Sequence, residues 1–292
     1  MLTAAISHRQ VFERTLEHVR RAAKSVRVHS ERSQRRQLLA AIPRKPELDH
    51  FVDERTGYAK IPVGTIPAVG PAVKLAQRIL GEKRDMEWPE NKRQLMVISQ
   101  PDQYEDGPEF FDLALSDEVL QIASEYLGEV PKALRIKLWW TPVNTKLTGS
   151  QLYHRDGISW MQRQAKFLFV MNDVDRDCGP FTFLPADISM KVASSLGSIH
   201  EQERVTDELV YKNATEEDAI SLIGPAGTGA MVDSSRCFHY GARARGGERL
   251  MLMFSFMASL DAYSAGGLRR SKGFAQRFGD DPVRKLVVPK TK

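Results

Sequence analysis

The amino-acid sequence predicts a mainly β fold with flanking helices, and three observations carry that expectation. From Val130 onward, apolar residues alternate in short runs separated by Gly, Pro, Asn and Asp turns. Upstream of Val130 the apolar spacing is helical instead. Nowhere in the 292 residues does an apolar run approach the roughly 20 needed to cross a bilayer. Many short strands punctuated in this way build a closed or two-sheet β architecture. The pattern by itself leaves barrel, sandwich and jelly roll as equal alternatives.

The first element is a basic arm. Residues 1–46 hold eleven Lys and Arg against three Glu, a net charge of +8 in a chain of +5, so the remainder carries −3. Ile6, Val11, Phe12, Leu16 and Val19 recur at helical spacing behind Ser7, which can cap the first turn. A basic amphipathic helix serves nucleic acid, an anionic membrane or a protein partner, or it packs its apolar stripe on the adjoining domain. The last is expected here, without a nucleic-acid partner. Glu13 and Glu17 argue against an organelle-targeting leader. Residues 1–46 are therefore read as a helical extension and 47–292 as one domain.

Within that domain, Gly64, Pro67, Gly70 and Pro71 mark a loop, after which residues 72–80 read as a helix stopped by Gly81. Residues 95–98 form a short buried strand. Residues 110–127 read as a single amphipathic helix, with Phe111, Ala114, Leu115, Val119, Ile122 and Ala123 on one face and Gly128 at its stop. Strands are predicted over 133–141, 147–154, 165–171, 181–184, 208–211, 229–232, 238–242 and 249–257. The connection 188–213 and the tail 262–292 are expected to act as lid elements, the tail presenting Arg269, Arg270 and Lys272. Two cysteines, Cys178 and Cys237, suit packing positions in a reducing cytoplasm better than a disulfide framework.

His154-Arg155-Asp156 carries the chemistry. In an extended segment, residues one apart point to the same face, so this imidazole and carboxylate can grip one metal ion from a single strand end. His239, between apolar strand-like runs, is the natural third ligand. Two histidines and a carboxylate on one face of an octahedral metal leave three positions open, the arrangement of non-haem Fe(II) oxygenases. Arg249 follows ten residues later and opens an apolar strand. A co-substrate with two carboxylates needs a permanently charged fork at its far end, for which Arg suits better than Lys.

The sequence resembles the phytanoyl-CoA dioxygenase-like branch of the Fe(II)/2-oxoglutarate oxygenases over roughly residues 50–260. Three segments carry the likeness: Gln151-Leu152-Tyr153-His154-Arg155-Asp156, Cys178-Gly179-Pro180-Phe181-Thr182-Phe183-Leu184-Pro185, and His239 through Arg249. Gly57-Tyr58-Ala59-Lys60-Ile61-Pro62 matches more weakly the short strand that opens such domains. The resemblance implies a double-stranded β-helix, a cupin-like jelly roll, with its core at about 130–260. It implies Fe(II) held by His154, Asp156 and His239, with 2-oxoglutarate and O2 as co-substrates. Arg249 would bind 2-oxoglutarate, with Lys137 and Thr182 as further contacts; Tyr153 and Lys166 also lie on strands that would line the barrel.

Relatives that halogenate carry a small residue in place of the carboxylate, so Asp156 implies hydroxylation of a C–H bond, with 2-oxoglutarate converted to succinate and CO2. A hydroxyl residue often stands two positions after the distal His, where this chain has Gly241. Arg155 should face away from its neighbours and shape the entrance. Trp139, Trp140 and Trp160 form either an apolar substrate wall or part of the core, and the core is the expectation. The expected partner is a small-molecule substrate. A Zn or Mn cupin acting as a hydrolase or isomerase stays open as an alternative, although it gives Arg249 no purpose.

Overall fold

The computed structural model describes residues 18–20, 22–26, 28–88, 95–144, 149–156, 161–196, 204–262 and 267–288. Its core is a six-stranded antiparallel sheet in the order β1-β7-β4-β9-β3-β2. These strands are β1 (Tyr58–Ile61), β2 (Met96–Ser99), β3 (Lys132–Thr141), β4 (Gln164–Val170), β7 (Gly229–Asp233) and β9 (Arg249–Met257). A second sheet of three short strands runs β6-β5-β8, where β5 is Thr182–Phe183, β6 Ile220–Ser221 and β8 His239–Tyr240. Strand β9 lies between β3 and β4 and is buried along its whole length. A strand covered on both faces can be almost continuously apolar, as Leu250-Met251-Leu252-Met253-Phe254 is.

Period-two alternation gives the large sheet two different faces. Outward, Ile136, Leu138, Phe167, Phe169, Leu250, Leu252, Phe254 and Phe256 join a core that includes residues of the helices Val69–Lys83, Pro108–Ala114 and Asp117–Leu127. Inward, Leu168, Val170, Val232, Met251 and Met253 pack with Phe181 and Phe183 of the small sheet. Tyr58 meets Phe183 edge-on at 5.1 Å across the gap. The two sheets therefore face one another over a layer that is apolar at its centre.

Several elements differ from the sequence reading, each for a local reason. The single helix expected over 110–127 is two, because Ser116 leaves helical geometry and its hydroxyl accepts from the Val119 N–H, capping a new helix. Gly81 stops nothing: Val69–Lys83 runs through it, and the space around it is open. Residues predicted as a strand at 208–211 form the short helix Asp207–Val210, with two acids in its first turn. Of the strand expected over 147–154, the described residues 149–154 form a 3-10 turn at Gly149–Gln151 and isolated bridges at Tyr153 and His154.

The tail is not placed as a lid. Its helices Lys272–Phe278 and Pro282–Val287 are capped by Ser271 and Asp281, and Phe274, Val283 and Val287 enter the outer core. Arg269 pairs with Asp102, Arg277 with Asp112 and Arg284 with Asp117. Arg270 donates to the carbonyls of Val288 and Lys285. These charges are engaged on the helical side. The N-terminal helical signal from Ile6 to Leu16 lies outside the described residues. Further along the arm, the helix His29–Gln37 buries Arg35, whose guanidinium donates to the carbonyls of Val130, Pro131 and Leu286. Among the described residues no helix is long and apolar enough to cross a membrane.

Candidate metal and co-substrate site

Two short segments are paired to build the site. His154 and His239 exchange both backbone hydrogen bonds, at 3.0 and 2.8 Å, and the Asp156 N–H donates to the Ser234 carbonyl at 2.8 Å. β8 is itself held by β5, with His239 opposite Phe183. This pairing sets the two imidazoles 4.4 Å apart, centroid to centroid. Ligand atoms of His154, Asp156 and His239 all lie within 4.8 Å of one another. The turn leading into β5 explains the Gly-Pro signal: Gly179 has φ +67°, and a Cβ there would sit 2.5 Å from the Ala244 nitrogen.

Hydrogen bonding fixes the chemistry of both rings. His154 Nδ1 lies 2.8 Å from the Leu152 carbonyl and His239 Nδ1 lies 2.9 Å from the Cys237 carbonyl. A carbonyl can only accept, so each Nδ1 carries the proton and each Nε2 presents a lone pair. Burial holds both imidazoles neutral: that of His154 is pushed down to about 4, and that of His239 falls well below its usual range, with His154 adding to the effect. His239 Nε2 then faces Asp156 Oδ2 at 3.7 Å, lone pair toward carboxylate. A cation between them satisfies all three groups, and backbone-anchored imidazoles are how metal-binding histidines are usually oriented. The residues present fit a divalent metal.

Burial would raise the Asp156 carboxyl, but the Lys166 ammonium beside it holds it well below the usual carboxylate range. Lys166, from β4, makes an ion pair with Asp156 Oδ2. Sequence reading placed Lys166 on a lining strand without identifying this partner.

Arg249 stands at the other end of the inner face. It opens β9 opposite Thr141, the last residue of β3, and its Nη2 donates to the Thr141 hydroxyl at 3.2 Å. Arg249 is 2% exposed, yet its Nε and Nη1 have no hydrogen-bond partner among the described residues. Burial alone pushes its pKa down to about 10. A buried guanidinium with two idle donor nitrogens is costly unless an anion completes it. Gly241 makes the room: a Cβ there would lie 3.1 Å from Arg249 Nη1. Gly241 follows His239 by two residues, about 7 Å in extended chain, so the fork and the metal site are adjacent. These residues fit a dicarboxylate that reaches the metal with one end. Thr141 places a hydroxyl on the fork from another strand, where Gly241 has none.

Other expected contacts are placed differently. Thr182 neighbours Phe183 on β5, and since Phe183 faces inward, Thr182 faces outward with Tyr240 and Ser221. Its hydroxyl lies 2.9 Å from that of Ser221, so strand parity removes it from Arg249. Tyr153 is on that outer side too, 2.9 Å from the Tyr211 hydroxyl and edge-on to Tyr240. Lys137 does face inward, but four residues from Thr141, about 13 Å along β3. Its ammonium is lowered by burial and by Arg135 and Lys166. It belongs with that group of charges and not with Arg249.

Arg155 faces away from His154 and Asp156, as expected, but it is buried and shapes no entrance. It donates to the Ser235 carbonyl and lies over Phe238, fastening the turn before His239. Trp139 faces inward, whereas Trp140 faces the helical side and donates to Glu248. Trp160 lies outside the described residues. Cys178 and Cys237 are free and buried. Arg204, which sequence reading passed over, is close enough to Asp156 for their charges to interact; no local signal marks it.

No family model matches the chain, and no curated protein matches it in sequence. Solved structures do. The non-heme alpha ketoglutarate dependent carbocyclase SnoK from nogalamycin biosynthesis matches with a TM-score of 0.52 at 16% identity, over 85% of this chain and 94% of that one. EctD from S. alaskensis, solved with bound Fe, gives 0.52 at 16% identity over 85% and 88%. HygX from Streptomyces hygroscopicus, solved with nickel and 2-oxoglutarate bound, gives 0.50 at 15% identity over 74% and 88%. At such identities the likeness shows the fold. The chain is a cupin-like jelly roll with flanking helices, its two sheets facing one another without closing into a barrel.

Proposed function

We propose that this chain is an Fe(II)- and 2-oxoglutarate-dependent dioxygenase of the phytanoyl-CoA dioxygenase-like branch, which hydroxylates an unactivated C–H bond of a small organic molecule. The observation that carries the reading is the buried, incompletely bonded Arg249 fork lodged against Gly241, two residues from the His239 of a neutral-imidazole His-Asp-His cluster. A metal site alone would suit a Zn or Mn hydrolase; a carboxylate-sized anion site beside it suits 2-oxoglutarate. The Fe in EctD and the nickel and 2-oxoglutarate in HygX, on the same fold, support the assignment.

His154, Asp156 and His239 are the metal ligands and thereby the catalytic residues. Fe(II) with 2-oxoglutarate and O2 supplies the oxidising chemistry, in which 2-oxoglutarate becomes succinate and CO2 and one oxygen atom enters the substrate C–H bond. The chain's own residues do the rest. Arg249 and the Thr141 hydroxyl hold the distal carboxylate of the co-substrate and so fix the direction of its keto-acid end. The carbonyls of Leu152 and Cys237 keep each Nε2 aimed at the metal. Phe181, 5.1 Å from the His239 ring, and Met251 and Met253 exclude water from the inner face. Lys166 neutralises Asp156 before a metal does.

Anaerobic titration tests this directly. Fe(II) and 2-oxoglutarate together should produce a visible charge-transfer absorption that neither gives alone. His154→Ala, Asp156→Ala and His239→Ala should each abolish it. No such band together with no succinate release under air, or a band indifferent to these substitutions, would refute the assignment.

A further inference from the structure

The inner face of the large sheet ends in a group of cations that the oxygenase reading leaves unused. Strand register arranges the face in rows. Thr141 stands opposite Arg249; two positions along, Trp139 is level with Met251 and Val170; next, Lys137 is level with Met253 and Leu168; last, Arg135 is level with Ser255 and Lys166. Directly opposed residues in antiparallel strands share a face. One end of the face therefore holds a single guanidinium and the other a concentration of charge.

Arg135 and Lys137 are half-buried, and among the described residues neither has a carboxylate partner. Among the described residues Lys137 meets the Trp139 ring, 6.0 Å from its ammonium. Arg135 and Lys166 both disfavour its charge, and Asp156 offsets them only in part. Arg204 adds a fourth cation near Asp156. Among the described residues Asp156 is the sole acid in this group, and in the oxygenase reading it is committed to the metal site. Other cations of the chain do have carboxylates: Arg35 with Glu31, Arg243 with Asp207, Arg284 with Asp117. Two half-buried cations, Arg135 and Lys137, set beside a reaction centre without carboxylate partners among the described residues form an anion receptor, because the missing charge is then supplied by the ligand.

We propose that the molecule oxidised here carries a carboxylate or phosphate, and that Arg135 and Lys137 bind this group, with Lys166 and Arg204 extending the same field toward the metal. The inference rests on the oxygenase reading, which assigns the Arg249 end to 2-oxoglutarate and leaves this end to substrate. The anion is then held on the far side of the metal site from Arg249, so the carbon presented for oxidation lies part-way along the substrate, away from its charged end. Arg135 and Lys137 are specificity-determining residues in this account.

The test uses the full chain loaded with Co(II) and 2-oxoglutarate without O2, and inorganic phosphate as the probe. Paramagnetic relaxation of its phosphorus nucleus should saturate, at a metal–phosphorus distance too long for direct ligation. Arg135→Gln and Lys137→Met should each weaken binding about tenfold, the usual order for one charge-assisted hydrogen bond, and Arg135→Lys should retain most of it. Thermal unfolding of each variant verifies that it is folded. Carbon-13 acetate in the same measurement distinguishes a carboxylate from a phosphate receptor, and either result supports the proposal. Relaxation only at the distance of a metal ligand, indifference to the substitutions, or equal binding of methylammonium would overturn it. The Fe(II)/2-oxoglutarate absorption is measured in parallel. Its absence with phosphate binding intact would remove the oxygenase reading and leave the anion site standing; its presence without phosphate binding would do the reverse.

Discussion

The two faces of the large sheet are made by alternate residues of the same strands, yet they obey different rules. Toward the helices, β9 contributes Leu250, Leu252, Phe254 and Phe256, and β4 contributes Phe167 and Phe169, all buried in one core. Toward the small sheet, β9 contributes Arg249, Met251, Met253 and Ser255, and β4 contributes Lys166. The first face maximises apolar contact. On the second, apolar residues occupy the middle and charges stand at both ends, with idle donors on Arg249. A protein stabilises itself with the first kind of surface, and retains the second at some cost in stability because a ligand completes it. The contrast predicts that damage to one face should appear in folding and damage to the other in binding.

The largest effect should come from Phe254→Ala. Phe254 stacks on Phe167 at 5.3 Å and on Phe169 at 5.9 Å, and is 1% exposed. Truncation should cost about 3–5 kcal/mol, read as a lower denaturation midpoint with unchanged slope. Metal and 2-oxoglutarate affinities of the folded fraction should hardly move. Arg249→Met, on the opposite face of the same strand, should reverse the pattern. Loss of the charge-assisted bonds to the co-substrate carboxylate should weaken 2-oxoglutarate binding at least a hundredfold, about 3 kcal/mol. Its unfolding free energy should fall by no more than about 1 kcal/mol, because an incompletely bonded buried guanidinium leaves with the side chain. Anaerobic absorption titration and chemical denaturation together decide it. An Arg249→Met protein that binds 2-oxoglutarate normally would make the two faces equivalent.

This contrast also explains what could be read from the sequence. The outer face was legible, since Leu, Ile and Phe at period two are an expression of its function as core. The metal triad was legible because His154 and Asp156 are two apart and His239 lies in an apolar setting, and Arg249 because a lone Arg opens a run of Leu, Met and Phe. Thr182 and Lys137 lie apart from Arg249, which the sequence does not show because it does not give strand register. Parity turns the first outward, and distance along β3 separates the second from Arg249. The Thr141 contact is invisible in the sequence for the same reason: only the pairing of β3 with β9 sets its hydroxyl on the guanidinium. The division of the 110–127 helix was present in Ser116-Asp117-Glu118, a capping signal obscured by the continuous apolar face around it. Arg204 carries no signal at all, since long-range folding alone brings it near Asp156.

A smaller effect should follow from Gly241→Ala. Its Cβ would stand 3.1 Å from Arg249 Nη1 and 3.4 Å from Nη2, so the guanidinium must give way. The fork is the flexible end of a long side chain, so folding should lose little. The co-substrate should lose more, since its partner is displaced by several tenths of an ångström from the aligned position on which a charge-assisted hydrogen bond depends. We expect 2-oxoglutarate affinity to fall about tenfold, near 1.4 kcal/mol. Metal affinity without co-substrate should stay constant, because His239 is oriented by the Cys237 carbonyl and not by Gly241. Parallel metal and 2-oxoglutarate titrations of this variant separate the two sites.

The smallest and most discriminating change is Thr141→Val, which keeps the side-chain shape and removes one hydroxyl. That hydroxyl accepts from Arg249 Nη2 at 3.2 Å, so its own hydrogen is available to a carboxylate held in the fork. Valine should therefore weaken 2-oxoglutarate binding about three- to tenfold, corresponding to roughly 1 kcal/mol for a single hydrogen bond. Thr141→Ser should restore most of the loss, whereas a purely packing role for Thr141 would make serine the worse replacement. The distinction matters for the two faces because Thr141 sits at the end of β3, where the inner face passes from apolar contact to charge. If valine binds 2-oxoglutarate as well as threonine does, Arg249 works alone and the inner face holds one functional group at that end. If serine rescues, the register between β3 and β9 is itself part of the binding site, and any substitution that slips that register should cost co-substrate affinity before it costs the fold.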